Sequence, residues 1–272
     1  MGTRRFAAAL SWTVALVSCA AQPVAPTGPA ESPLPNFIVT TGMNVVAEGS
    51  QTELTTTAFT RVSDPNAYVL GVPQSEVVSS TTQLQAASPD VALASGTRIL
   101  GRSQGATTIR ASHRGREYDL PLVVVRPSAS AQSFAGTWRG VGMRFCEDVV
   151  GNTRSCRDSS GELVVRAIDV LMTLADAAGV LTGRFELGGT GSFSLLSGPA
   201  LAGVDQEGRL VVGGFVGQPD HSGNTQLFGW RFHWSGTQLA GTGMTERGFV
   251  NIYGPVLQRV TFTSLTLTRQ QE

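Results

Sequence analysis

The sequence predicts an all-β protein: a β-sandwich followed by an antiparallel meander β-barrel. Three observations carry that reading. The 272 residues include 32 glycines and 13 prolines, which punctuate the chain at short intervals. Long apolar runs with a 3.6-residue period are missing. Alternation is explicit over 228–235, where Phe228, Trp230, Phe232 and Trp234 share one face and Gly229, Arg231, His233 and Ser235 the other. A chain of this length can bury one large or two modest cores.

Acidic and basic residues balance at 20 each, and every basic residue is an arginine. Without lysine, Schiff-base chemistry, a pyridoxal-phosphate lysine and a P-loop lysine are excluded. No basic stripe tracks phosphates, so nucleic acid is not an expected partner. No glycine-rich phosphate loop opens a helix, and no cofactor is implied.

The N-terminus carries Arg4 and Arg5 and then an apolar segment, Phe6 to Val17. Twelve residues are too few to span a bilayer. The segment closes on Leu16-Val17-Ser18-Cys19, which resembles the lipobox of bacterial lipoproteins. The resemblance implies a signal peptide over 1–18, cut before Cys19, with acyl chains on Cys19 as the membrane anchor. The alternative is an ordinary secretory signal with a chance cysteine. Ala20, where an aspartate would retain the protein inside, implies the outer membrane of the cell envelope. Removing the leader leaves 18 basic against 20 acidic residues. Residues 19–35, with five prolines, read as a semi-extended tether, about 50 Å long at about 3.1 Å per residue.

From 36 to 126 short strand-like segments alternate with turns (37–40, 52–60, 67–72, 82–88, 91–95, 98–103, 106–112 and 119–125), the spacing of a sandwich. Ala87-Ser88-Pro89-Asp90-Val91-Ala92, then Gly96, Leu100-Gly101, Ser103, Gly105 to Ile109 and Leu122 to Val125 resemble a bacterial immunoglobulin-like domain of the group 2 type. Leu84 departs from the family by replacing its usual core tryptophan, and 61–80 reads as an enlarged connection. Gly101-Arg102-Ser103-Gln104-Gly105 also fits the G-x-S-x-G nucleophile elbow. That motif needs a helix after the serine, whereas Thr107, Thr108 and Ile109 read as strand.

Polar, small residues over 127–133 mark a linker. Residues 134–270 then read as strands at 137–146, 162–174, 180–187, 191–196, 209–216, 226–235, 238–245, 248–253 and 257–268, a meander that removes its edges by closing. Phe134-Ala135-Gly136-Thr137-Trp138 resembles the G-x-W opening of lipocalin-like (calycin) barrels. In that family a basic residue after the last strand packs across the tryptophan, a place taken here by Arg269. The resemblance implies barrel closure by Gly136, Trp138 and Arg269 and a small, apolar ligand. The face of Phe228, Trp230, Phe232 and Trp234 can be the wall of a ligand cavity or a filled core, because eight-stranded barrels allow either. In the last strand Val260 and Phe262 share a face but Leu265 and Leu267 take the other. A bulge near Thr263-Ser264 would restore a common inner face.

With Cys19 acylated, Cys146 and Cys156 remain, and an oxidising compartment makes a disulfide their expected state. A three-residue loop at Val150–Asn152 would set them opposite each other in a hairpin. Only His113, His221 and His233 could serve metal or acid–base chemistry, in no zinc spacing. Asp220-His221 lies in a stretch whose composition suits a turn. Glu147, Asp148 and Asp158 are interleaved with Arg154 and Arg157 as ordinary solvated charge. The expected function is therefore non-catalytic: an envelope lipoprotein whose barrel binds a small apolar ligand. The alternative is a structural or adhesive protein with a solid barrel, contacting envelope protein or glycan.

Overall fold

A computed structural model describes residues 34–61, 73–151, 156, 160–162, 165–188, 196–217, 224–251 and 254–271. The leader, Cys19, the proline-rich segment to residue 33, Arg154, Arg157, Asp158 and Asp220-His221 lie outside them. The fold is all-β. The first part holds β1 (Phe37–Gly42), β2 (Val45–Ala47), β3 (Gln51–Arg61), β4 (Pro73–Val77), β5 (Gln83–Ala86), β6 (Ala92–Ser95), β7 (Arg98–Gly101), β8 (Gly105–His113) and β9 (Arg116–Val125). One sheet runs β1-β3-β7-β6, with β4 also on β3; the other runs β2-β9-β8-β5. The expected strand at 67–72 falls outside the described residues.

The chain crosses between the sheets after Gly42, where a Cβ would lie 2.5 Å from the Leu54 side chain. β1 is antiparallel to β3, while β2 runs parallel to β9. Alternation then fills the space between the sheets: Ile109 and Ala111 of β8, and Tyr118, Leu120, Leu122 and Val124 of β9, bury against Ile38, Phe59 and Ile99. Leu84 packs at the margin of this cluster.

The second part is a closed barrel in which every strand pairs with the next and the last returns to the first. Its strands are β10 (Gly136–Val150), β11 (Val165–Ala177), β12 (Val180–Gly188), β13 (Leu196–Val204), β14 (Leu210–Gly217), β15 (Asn224–Trp234), β16 (Gln238–Asn251) and β17 (Gly254–Arg269). The segments expected as two strands at 238–245 and 248–253 form the single strand β16. The bulge expected in the last strand is present. Ser264 has φ 54°, and both ladders of β17 shift register beside it. Phe262, Leu265 and Leu267 thereby join one core.

The segment expected as an unpatterned linker is a 3₁₀ turn, Ala129–Phe134. Ser128 caps it by accepting a hydrogen bond from the Ser130 amide. Ala131 and Phe134 bury into the barrel core, so this turn plugs one end of the barrel.

The sandwich lies along the barrel wall, within one compact unit that spans Pro33–Glu272. Glycines make the close approach. A Cβ at Gly203 would meet Val125 at 2.6 Å, one at Gly213 would meet Val45 at 2.7 Å and one at Gly248 would meet Phe59 at 2.7 Å. Buried Gln226 accepts from the Gly42 amide at 2.8 Å and donates to Gly214 O and Leu227 O, both at 2.9 Å. Every polar atom of its amide is thus used. Glu246, also buried, pairs with Arg259 at 2.6 Å. Burial first, and the Glu246 charge second, hold the Tyr118 phenol well above its ordinary pKa. Near the barrel end away from the plug, the Arg61 amide donates to Asn36 Oδ1 at 2.8 Å, and the Arg61 guanidinium approaches Gly254.

Candidate functional site

The plugged end is built around Trp138, which is fully buried. Its indole N–H donates to Phe134 O at 2.8 Å. Arg269, its register partner across the closing ladder, sets its guanidinium 5.2 Å from the ring centroid. The same guanidinium donates to Ser133 O at 2.9 Å and to Ala135 O. Gly136 has φ +126°, and a Cβ there would come 3.1 Å from Arg269 Nε. The Gly136, Trp138 and Arg269 predicted to close the barrel therefore do meet where its first and last strands join. Trp234 stands edge-on to Trp138 at 5.5 Å, at the rim and about half exposed.

Above the plug the lumen is filled. Phe232, Leu210 and Leu181 are fully buried, with Met172, Phe185 and Val212 beside them. Trp230 packs on Phe262 at 5.1 Å and on Phe232 at 6.2 Å, and its indole donates to Met244 O at 2.9 Å. A Cβ at Gly243 would lie 2.5 Å from the Trp230 ring, so only glycine admits the indole here.

The aromatic face is not continuous. Gly229 takes φ +68°, and β15 slips register against both neighbours at this point. Leu227, Trp230 and Phe232 face the lumen. Phe228 pairs with Met244, two residues along β16 from the Gln226–Glu246 pair, and so lies on the outer face. The expectation that Phe228 lines the lumen is corrected: the extra residue of the bulge inverts the phase on one side of it.

Beyond the layer of Trp230 and Phe262 the lumen changes character. Arg144 sits opposite inward-facing Phe262 on one side and Arg166 on the other. Arg247 sits opposite Thr225 and Gln258, and Gln258 opposite Asp148. Thr245 faces Leu227 and Val260. Among the described strand residues this far half thus collects three guanidiniums and one carboxylate. Gln258 donates to Asp148 Oδ1 at 3.4 Å, and Arg247 lies 4.9 Å over the Phe249 ring. Burial, then the charge of Arg166, pull the Arg144 guanidinium below its ordinary pKa, and burial does the same to Arg247.

Cys146 and Cys156 are joined in a disulfide at the rim of this half. The hairpin expected to bring them together runs through 152–155, which lie outside the described residues. The β10–β11 ladder ends at Phe145 and Val165, while β10 continues against β17 as far as Val150. Cys156 belongs to the connection between β10 and β11, which the disulfide ties back to the wall.

Other candidates behave as local structure. Ser103 Oγ donates to Asp90 O at 2.7 Å, and the next element is β8, so the strand–turn–helix of a nucleophile elbow is not formed. His113 shares a hydrogen bond with Thr81 at 3.2 Å, and His233 is exposed on the outer wall. Among the described residues no group of three His, Cys, Asp or Glu is placed to hold a metal ion. A cleft of roughly 110 Å³ between sandwich and barrel is lined by Gln104, Val123, Asp205, Glu207, Arg209 and Arg231. Its acids are already matched to Arg209 at 2.8 and 2.7 Å.

The chain matches no known family model, no curated protein and no solved structure.

Proposed function

We propose that this protein is a cell-envelope lipoprotein, held in the outer membrane by an acylated Cys19, whose barrel binds a small, largely apolar molecule without transforming it. The observation that carries the reading is the change halfway along the lumen. Up to Trp230 and Phe262 side chains pack wall to wall; Ile168, Leu187 and Leu227 join Phe262 as the last apolar layer of that core, and the inward positions beyond it are polar. An apolar floor with a few convergent polar groups is the usual composition of a small-molecule site. The short turns at 178–179, 205–209 and 235–237 lie at the plugged end, and the longer connections at 151–164, 189–195 and 218–223 lie at the other, the end at which this reading puts ligand entry. The resemblance to lipocalin-like barrels at Gly136, Trp138 and Arg269 supports the same reading. The resemblance of 87–125 to group 2 immunoglobulin-like domains, and of residues 16–19 to a lipobox, supports an envelope location.

A second reading has its own observation. Val141, Met143, Phe145 and Val149 expose one apolar stripe on the outer wall of β10, continued by Val165 of β11. Such a stripe suits contact with an envelope protein or glycan by a solid, structural or adhesive barrel.

Native mass spectrometry separates the two. Residues 20–272, exported to an oxidising periplasm behind a cleavable secretory signal and purified without detergent, should carry added mass that is lost on denaturation. Protein that stays bare after exposure to envelope lipid extract would favour the solid module. The anchor is tested apart: the native chain should incorporate labelled palmitate, and Cys19→Ser should abolish incorporation.

A further inference from the structure

We propose that the outward face of β10 joins two copies of this chain, their β10 strands face to face and antiparallel about a two-fold axis that crosses them at Met143. The inference does not depend on the ligand reading, because the lumen lies on the other face of the same strand.

The inward phase of β10 is set by buried Trp138, so Arg139, Val141, Met143, Phe145 and Glu147 form the outward row. Val141 is 56% exposed, and Met143 and Phe145 are each 38% exposed. Their register partners keep the middle of the face level and uncharged: Ala167 and Thr263 flank Met143, and Val165 and Thr261 flank Phe145. Among the described residues the sandwich approaches a different part of the wall, at Gly203 of β13, Gly213 of β14, Gly248 of β16 and Leu257 of β17. Contiguous apolar side chains on an uncovered sheet face mark a contact surface.

The ends of the row say which partner fits. Arg139 lies four residues before Met143 and Glu147 four residues after it. Among the described residues neither takes part in an ion pair. Arg259, the register partner of Glu147, is held by Glu246. A two-fold axis across the strands at Met143 lays Met143 on its own counterpart, Val141 on Phe145 and Arg139 on Glu147, at both ends at once. Pairing the same face with the strands parallel would instead set Arg139 on Arg139 and Glu147 on Glu147. Opposite charges at equal distances from one apolar centre are what an isologous contact needs; a foreign partner would need no such symmetry. Facing sheets pack about 10 Å apart with their strands within about 30° of alignment, a gap that an arginine and a glutamate side chain span together. The face is about 26 Å long and about 14 Å wide, at about 3.3 Å per residue and about 4.8 Å per strand. That is about 400 Å² per copy, roughly half of a standard interface, so the dimer is reversible.

Sedimentation velocity of residues 20–272, from about 5 μM to about 1 mM, tests this at low salt. The protein should pass from monomer to dimer within that range. Arg139→Glu and Glu147→Arg should each weaken the dimer about tenfold or more, since symmetry places two like-charge contacts in each variant. The two changes combined restore opposite charges at both ends and should bring the affinity back to within about threefold of the parent. Met143→Asp, at the axis, should leave only monomer, with circular dichroism and melting unchanged because the side chain is exposed. Arg184→Glu makes the same charge change on β12, away from the row, and should leave the dimer in place. A monomer at every concentration overturns the proposal and returns the stripe to an envelope partner. A dimer indifferent to Met143→Asp and Arg139→Glu overturns it too, because the contact then lies on another face. So does a combined variant that stays as weak as the single ones, because the strands are then not paired about Met143.

Discussion

The two halves of the barrel lumen are made by the same eight strands and held together by different means. The plugged half is a core: Trp138, Phe232, Leu181 and Leu210 are fully buried, and neighbouring glycines are pressed against aromatic rings. The far half substitutes Arg144, Arg247, Gln258, Thr225 and Thr245 for aliphatic side chains and adds the Cys146–Cys156 bond. A barrel needs only part of its length packed to be stable. The remainder is then available for polar groups that a packed interior would not tolerate.

That contrast can be broken at its stronger end first. Trp138→Ala removes the largest fully buried side chain and the surface on which Arg269 rests; urea unfolding should show a loss of about 3–5 kcal/mol. A loss under 1 kcal/mol would mean the plugged half is not the stabilising core. Next comes the far half's covalent tie. Cys146→Ser with Cys156→Ser should lower stability by about 2.5–3 kcal/mol, the loop-closure entropy of a loop of this size. The same midpoint shift should follow reduction of the unsubstituted protein. Gly243→Ala probes the boundary between the halves. Displacing the Trp230 ring should cost about 1–3 kcal/mol and shift the tryptophan emission. Arg166→Gln is the smallest effect, within about 0.5 kcal/mol of the parent in thermal unfolding, because an exposed rim residue contributes little to folding. A large loss there would mean that the rim stabilises the barrel and does not simply line its entrance.

How far the sequence revealed this arrangement varied with the kind of signal. The Thr263-Ser264 bulge was legible because two apolar pairs, Val260 with Phe262 and Leu265 with Leu267, cannot share an inner face without it. The bulge at Gly229 was not, since Phe228 and Trp230 alternate correctly in sequence and only the lost register moves Phe228 outward. The cysteine pairing was legible from composition. Strand β10 outlasts its ladder with β11, and sequence spacing does not say which neighbour a strand end follows. Strand β10 also hid the rim. Its more apolar set, Val141, Met143, Phe145 and Val149, faces outward, while Gly140, Gly142, Arg144 and Cys146 follow the inward phase set by Trp138. Hydrophobic periodicity alone would place Arg144 in solvent. Counting in steps of two from the buried tryptophan would have found it.

The meeting of Asn36 with Arg61, and of Arg61 with Gly254, fixes where the folded part receives the chain that precedes it: beside the rim, not beside the plug. With the proposed acyl anchor on Cys19, the ligand entrance and the leash share one corner. Under that proposal, a proline-rich tether over 19–35 would limit the rim to a search volume about 50 Å in radius at full extension. A barrel tethered in this way could use a weak site, with a fast off-rate, and still remain occupied.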